Sequence, residues 1–599
     1  MPPLSLRSLI LTVSVAVLAT FTAAAPIPTP SPEDPCRVLG SKDQGITYDE
    51  VAACYQYIPY DANVAVSTLK TVHTLFDEFY VFRDSALTPN LAHPFTSGPV
   101  DIVDELNKIG QTDYQNDYQF HSALVKVIDS LNDAHAAYAV DCYAAYHFAQ
   151  ALTLYAPVIE GQQSIRVFID LEKRGYDDCE VLTIDGQEAF PYIRAFAETI
   201  GFSKDSGVRL NQALASYIYD QERGEFVLSS GRFSERVTLP GKGSLTYELQ
   251  CANSPTPVTV EDGWLVIKQT QSSFTDYESY LSNVCHAPNS ADSQNHALFN
   301  PVKQPLITMP KKSVLLELLD DESTPEESPY GFPDAPYIGS GNATVYYQLK
   351  NFQGNGGGSV AFASLLVQAF FPNKDPLEKS LPSDLRVSKS IQDLSTAVFN
   401  TGNGGRYNAA YYVDVQTGSP YSSNSLFYDV VTLTRNGRQA VYSKTTTLYP
   451  RISPKYSQLA TYPWTANADH ITILTDGRCG SACALSTHYF TLHDVPAYAI
   501  GGYQGQDLSM FSFPGGAVSS LNDLNSIYSD ANVASPMENL PYEGDVYLPI
   551  LEIYAKGASV PMEYDPSQYT ASFHLDRTLE AAKSCGNRLL ILLGYKLIS

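Results

Sequence analysis

Three stretches in the first quarter of the chain repeat their apolar residues every three or four positions. They are TYDEVAACYQYI (Thr47–Ile58), STLKTVHTLFDEFYVF (Ser67–Phe82) and QFHSALVKVIDSLNDAH (Gln119–His135). That spacing gathers the apolar side chains on one helix face, so residues 26–150 are expected to be mostly helical after a proline-rich entry. From about residue 151 the period changes. IRVFIDL (Ile165–Leu171) and CEVLTIDGQEAFPYIRAFAETI (Cys179–Ile200) read as strand, strand, Asp-Gly turn, helix, and FVLSSG, RVTLPG and LTYELQC follow as short strands. Residues 151–262 thus make a small β-rich module. From WLVIKQT (Trp264–Thr270) onward, strands alternate with helices, which predicts an α/β core over residues 263–599. An insert at 302–340 interrupts that core. Its acidic, proline-rich end cannot bury enough surface to offset its ordering entropy, so it is expected to be exposed and open to proteolytic nicking.

A chain of 599 residues is too long for one core, and its 44% hydrophobic content is that of a globular protein. The formal charge of −26 argues against a nucleic-acid partner, whose phosphates it would repel. Residues 1–25 place Arg7 before a short apolar run, Leu9–Leu18, and end in Thr-Ala-Ala-Ala before Pro26. That order predicts a secretory signal peptide cut near Ala25. No later run reaches the roughly 18 apolar residues of a membrane span. The nine cysteines are dispersed, without zinc spacing. Secretion favours disulfides for some of them, and the odd count leaves one thiol over. Asn342-Ala-Thr is an N-glycosylation sequon and predicts an exposed loop. No metal or organic cofactor is implied.

Candidate chemistry centres on ITILTDGRCGSACALSTHYF (Ile471–Phe490), where a strand breaks at Asp-Gly and a helix begins. Ser481 lies at the break. It is either a nucleophile at a helix N-terminus or a plain capping serine in a tight turn. A second strand–turn–helix, YYQLKNFQGNGGGSVAFASLLVQAFF, carries glycines that let backbone N–H groups approach a ligand or a developing oxyanion. It lacks the Gly-Lys-Ser/Thr ending of a phosphate loop. His488 shares a helix with Ser481 and stands about 10 Å along its axis, beyond hydrogen-bond reach, so it is expected to be structural. No lysine occurs between Lys455 and Lys556, so a base must come from far away in sequence. His135, just past a helix end in LNDAHAAY, is the candidate. Cys479 and Cys483 flank Ser481 and are expected to be small apolar packing. An esterase is disfavoured, since CGSACA lacks the final glycine of G-x-S-x-G.

Taken in order, LNDAHAAY, NFQGNGGG and ILTDGRCGSACALSTHYF resemble the tail-specific (C-terminal-processing) serine protease family. The branch they are most similar to is typified by the chlamydial protease-like activity factor and its secreted fungal relatives. That branch pairs serine with a distant histidine, whereas the better-known bacterial branch uses lysine. The resemblance implies a mixed-sheet ClpP/crotonase-like catalytic core and a PDZ-like β-rich module at 151–262. It implies Ser481 as nucleophile, His135 as general base, and the N–H groups of Gly357 and Ala482 as oxyanion donors. A glutamate downstream of the serine would orient the histidine. Glu538, Glu543, Glu552 and Glu563 are available; Glu552, on the strand LPILEIYAKG, is chosen and Glu563 is the runner-up, the bland alternative for either being an outward-facing strand carboxylate. The expected activity is that of a secreted serine endopeptidase with a peptide or protein substrate, no nucleic acid and no membrane span; a homodimer is an option. Two rivals are a catalytically silent peptide-binding relative and an enzyme dedicated to one precursor peptide. Relatives often carry an acidic residue before the Gly-rich turn; here the strand reads Lys350-Asn351-Phe352.

Overall fold

The computed structural model describes residues 34–88, 91–220, 225–286, 360–371, 373–375, 377, 381–401, 404–448, 471, 473–571 and 573–575. The leader, the acidic insert at 302–340, Asn342, the Gly-rich stretch with Gly357, and Cys585 lie outside these residues.

The N-terminal region opens with helices Pro35–Gly40, Tyr48–Tyr57, Ala62–Thr74, Ile102–Ile109 and Asp117–Asp129. Their starts are written in the sequence. Thr47 and Glu50 form a reciprocal capping box, and Asp61, Asp101 and Asn116 each accept a backbone N–H of the following turn. A disulfide, Cys36–Cys54, joins the first two helices. The helical pattern does not persist to residue 150. Ala137–Val140 and Tyr146–Ala149 are strands, and each is drawn into a sheet built from later parts of the chain.

Ala137–Val140 pairs antiparallel with Gly544–Ile553, with Ala137 opposite Tyr547. Gly544–Ile553 is buried along nearly all its length, as the apolar run Val546–Leu551 at its centre requires of a central strand. Gly516–Ser520 and Ser383–Asp384 also pair with it, and the sheet continues through Thr446–Leu448, Tyr412–Asp414 and Ser419–Pro420. This mixed helix-and-sheet body is open rather than a closed barrel. A second sheet runs in the order Val258–Gly263, Ser244–Gln250, Glu180–Ile184, Arg166–Asp170, Leu152–Tyr155, with Gln187–Glu188 added beside Glu180–Ile184. Helix Ala189–Ala197 packs on it, and Cys179–Cys251 ties two of its strands at their ends. Of RVTLPG only Arg236 is in a strand, Glu235–Arg236; Pro240 has no N–H for a ladder and Gly241 turns the chain away.

The third unit positions the site. Strand Ile473–Thr475 leads through a turn into helix Ala482–Thr491 and returns as strand Ala497–Ile500, parallel to the first; Phe573–Leu575 pairs on the far side. Helix Val360–Phe370 packs against Ala482–Thr491, with Phe370 and Phe490 rings 5.6 Å apart. Such a βαβ unit presents its strand-to-helix turn at the carboxyl end of the strand, where open α/β sheets place their ligands.

Candidate active site

Ser481 occupies the last position before helix Ala482–Thr491, yet it does not cap it. A capping serine accepts an N–H from the second or third helical residue. The Ser481 hydroxyl makes no such bond, and the residue is only half-buried. Its backbone is at φ +56°, ψ −130°, a region that a residue with a Cβ enters at a cost of about 1–3 kcal/mol. A strained serine on a sharp strand-to-helix turn is how a nucleophile's oxygen is lifted clear of its own backbone. Ala482, at the first helical position, has an N–H with no intrahelical acceptor.

The surrounding segments hold this turn. Ser481 donates its N–H to Phe513 O at 3.0 Å, and Ser512 donates its N–H to Cys479 O at 2.8 Å. The Ser512 hydroxyl donates to Gly477 O at 2.8 Å, and Arg478 bonds Asp476 and the Ser216 hydroxyl. Two glycines are required. Gly477 has φ +79° and a Cβ there would lie 2.4 Å from Val208; a Cβ on Gly480 would lie 2.0 Å from the Phe513 ring. Cys479 and Cys483 are not merely packed, as the sequence suggested. They form a disulfide that spans Gly480-Ser481-Ala482, because the turn into the helix brings their Cα atoms to 5.4 Å.

Phe513 also reaches His135. Their rings meet edge to face with centroids 5.0 Å apart, so one residue bonds the serine's backbone and packs on the histidine. Phe513 is itself held at φ +29°. His135 arrives from the other end of the chain. Helix Asp117–Asp129 ends, Asp133 turns the chain by accepting the His135 N–H at 2.9 Å, and strand Ala137–Val140 then locks into the central sheet. His135 is buried, with Nδ1 3.7 Å from Asp133 Oδ1, and neither ring nitrogen makes a hydrogen bond. Burial pushes its pKa below the ordinary value; Asp133 opposes that shift, and Arg406 and Lys204 add to it. The ring is therefore a neutral imidazole at neutral pH, the form a base needs.

Behind Asp133 lies a buried charge cluster. Lys204 Nζ donates to Glu563 Oε1 at 2.5 Å and sits 4.5 Å from the Tyr564 ring centroid, and Gly515 N–H donates to Glu563 Oε2 at 3.3 Å. Burial pushes Glu563 up to about 7; Lys204 opposes this and Asp133 reinforces it. Lys204 is pulled down by burial but more strongly raised by Glu563, Tyr564 and Asp133. Glu563 thus pairs with the ammonium directly, and Asp133 acts on it only through its charge.

Glu552 has other partners. It is buried and accepts from Ser85 at 3.0 Å and Tyr554 at 2.8 Å, and pairs with Arg435. Neither it nor Glu563 faces outward, and Glu563 sits on a short 3₁₀ turn, Met562–Tyr564, rather than on a strand. The carboxylate brought within ion-pair distance of His135 is Asp133. Its signal was an Asp two residues before the histidine, the spacing of an Asx turn. Phe513 and Lys204 carried no recognisable signal. His488 is buried inside its helix, its pKa pushed down to about 4 by burial. No group of three or more His, Cys, Asp or Glu converges as metal ligands would among the described residues. Nor is any described helix long and apolar enough to cross a membrane.

No protein-family model matches the sequence, and no curated protein matches it. Among solved structures, the chain is similar to mature CPAF complexed with lactacystin, at a TM-score of 0.47 and 13% identity, over 90% of this chain and 98% of that one. Mature CPAF gives a TM-score of 0.47 at 14% identity, with the same coverage. The photosystem II D1 C-terminal processing protease gives 0.24 at 8% identity, over 86% of this chain and 94% of that one.

Proposed function

We propose that this chain is a secreted serine endopeptidase. The observation that carries the reading is Ser481, held at φ +56° at a helix start with its hydroxyl unspent on capping. In this reading Ser481 Oγ attacks the peptide carbonyl carbon. His135 takes the hydroxyl proton and returns it to the leaving amine. The N–H of Ala482 stabilises the oxyanion, and the sequence nominates Gly357 as the second donor. Asp133, 3.7 Å from the imidazole, orients His135, with the Lys204–Glu563 pair fixing the charge behind it. Glu552 stands outside this set because Arg435, Ser85 and Tyr554 occupy its oxygens. The six-stranded sheet is read as the PDZ-like module, with Val258–Gly263 as an edge strand able to take a peptide by strand addition. Four disulfides among the described residues accord with an oxidising, extracellular setting.

A fluorophosphonate probe tests the reading. Modification should map to Ser481 by mass spectrometry, and Ser481→Ala should lower kcat on a peptide library by about a thousandfold or more. A folded protein that takes no label but still binds peptides is the silent relative instead. Turnover confined to one peptide of the library marks a dedicated processing enzyme.

A further inference from the structure

We propose that the Cys479–Cys483 disulfide is a positioning clamp for Ser481, and that peptide-bond cleavage requires this bond closed. The proposal rests on Ser481 being the nucleophile. Ser481 is the middle residue of the five that the bond closes into a ring, Cys479-Gly480-Ser481-Ala482-Cys483. Serine does not hold φ +56°, ψ −130° by preference; the surroundings must over-determine it. Hydrogen bonds from Ser481 N–H to Phe513 O and from Ser512 N–H to Cys479 O fix the incoming arm of the turn. The outgoing arm is the first turn of the helix, and the disulfide is the covalent tie between the two arms. It sets the angle at which Ser481 leaves the strand and the place of the Ala482 N–H beside it.

Stabilising the whole fold is not what such a bond does best. A cross-link constrains the unfolded chain less as its loop shortens. Cys479 and Cys483 are four residues apart, whereas Cys179–Cys251 and Cys142–Cys285 span 72 and 143. The clamp's effect is local. Its sulfurs are sealed in the core, Cys479 Sγ lying 3.4 Å from Thr487 Oγ1, so opening it leaves two small buried thiols and no large cavity. Reduction by a dithiol would break one S–S bond, form two thiols, and close a disulfide in the reductant.

The test compares C479A/C483A with C36A/C54A, which removes the disulfide joining the first two helices. The expected result for C479A/C483A is a fluorophosphonate labelling rate and kcat about 10- to 100-fold lower, as for a small displacement of a reacting group, with KM and melting temperature nearly unchanged. C36A/C54A should show the reverse, a lower melting temperature and unchanged kcat per folded molecule. In a second arm, wild type is treated with dithiothreitol until alkylation and mass spectrometry show Cys479 and Cys483 opened. Its labelling rate should fall about 10- to 100-fold in step with the opening of this bond rather than of the other three disulfides, a correlation that needs no folded double variant. Equal labelling of wild type and C479A/C483A, or of opened and closed wild type, overturns the clamp. A closed, folded wild type that takes no label at Ser481 overturns the nucleophile itself, a different outcome.

Discussion

Two buried acidic clusters, one around Glu552 on the central strand and one around His135, are built on opposite terms. Around Glu552, both carboxylate oxygens are engaged, by Ser85, Tyr554 and Arg435, and the neighbouring Asp384, pushed well up by burial and by Glu552, shares Tyr554. Around His135, the two ring nitrogens and Asp133 Oδ2 have no hydrogen-bond partner although they are buried. Leaving a buried polar atom unpartnered costs about 1–3 kcal/mol. A protein tolerates that where the atom's partner arrives with a substrate or a proton. The Glu552 cluster leaves Asp384 Oδ1 without a hydrogen bond but engages both Glu552 oxygens, and it holds the hairpin Val431–Tyr442 to the sheet; around His135 the ring itself is left unengaged.

The contrast can be broken most forcefully by exchanging stability for activity. His135→Ala should lower kcat by about a hundred- to ten-thousandfold while the melting temperature moves little. Glu552→Gln should do the opposite, destabilising the fold by less than the about 3–5 kcal/mol of a fully broken buried pair, because Asp384, 3.6 Å from Arg435, can supply a replacement counter-charge, with near-normal turnover from the molecules that remain folded. If Glu552→Gln folds as wild type and loses turnover, the sequence's choice of orienting residue is restored. A finer probe is Asp133→Asn. His135 already titrates below 6.5, so the acid limb of kcat/KM should lie below that pH; removing the charge that raises the histidine should move the limb lower still. A limb that moves upward, or stays, denies the Asp133–His135 contact. The smallest effect concerns His147 and His488, both buried and pushed down to about 4. Their folded values lie below the unfolded 6.5, so protons favour the unfolded chain. Stability should be full above pH 6.5 and decline as pH falls through about 4, and His488→Gln should flatten that decline in denaturant titrations.

Much of this was legible in the sequence, and the reasons differ by element. The helices from Tyr48 to Asp129 and the strand–turn–helix at Ser481 are local, and periodicity with Asp-Gly punctuation reports local structure well. Ser481 and His135 were nominated, though a sequence does not carry the sign of φ or the absence of a capping bond. The orienting carboxylate was less legible. LPILEIYAKG says strand, but which side chain waits opposite is decided by Arg435, more than a hundred residues upstream. The Cys479–Cys483 bond hid for a related reason: four residues bring two cysteines together only if the chain turns sharply between them, and that sharpness follows from Phe513.

The pairing of Ala137 with Tyr547 also has a consequence in time. Contacts so far apart along a chain form late, because the loop between them must close first. At synthesis rates of about 5–20 residues per second, the strand that anchors His135 waits roughly 20–80 s for its partner. Throughout that interval the histidine has no frame to hold it against the turn at Ser481. The two halves of the candidate site, made far apart in time, meet only once Gly544–Ile553 has arrived.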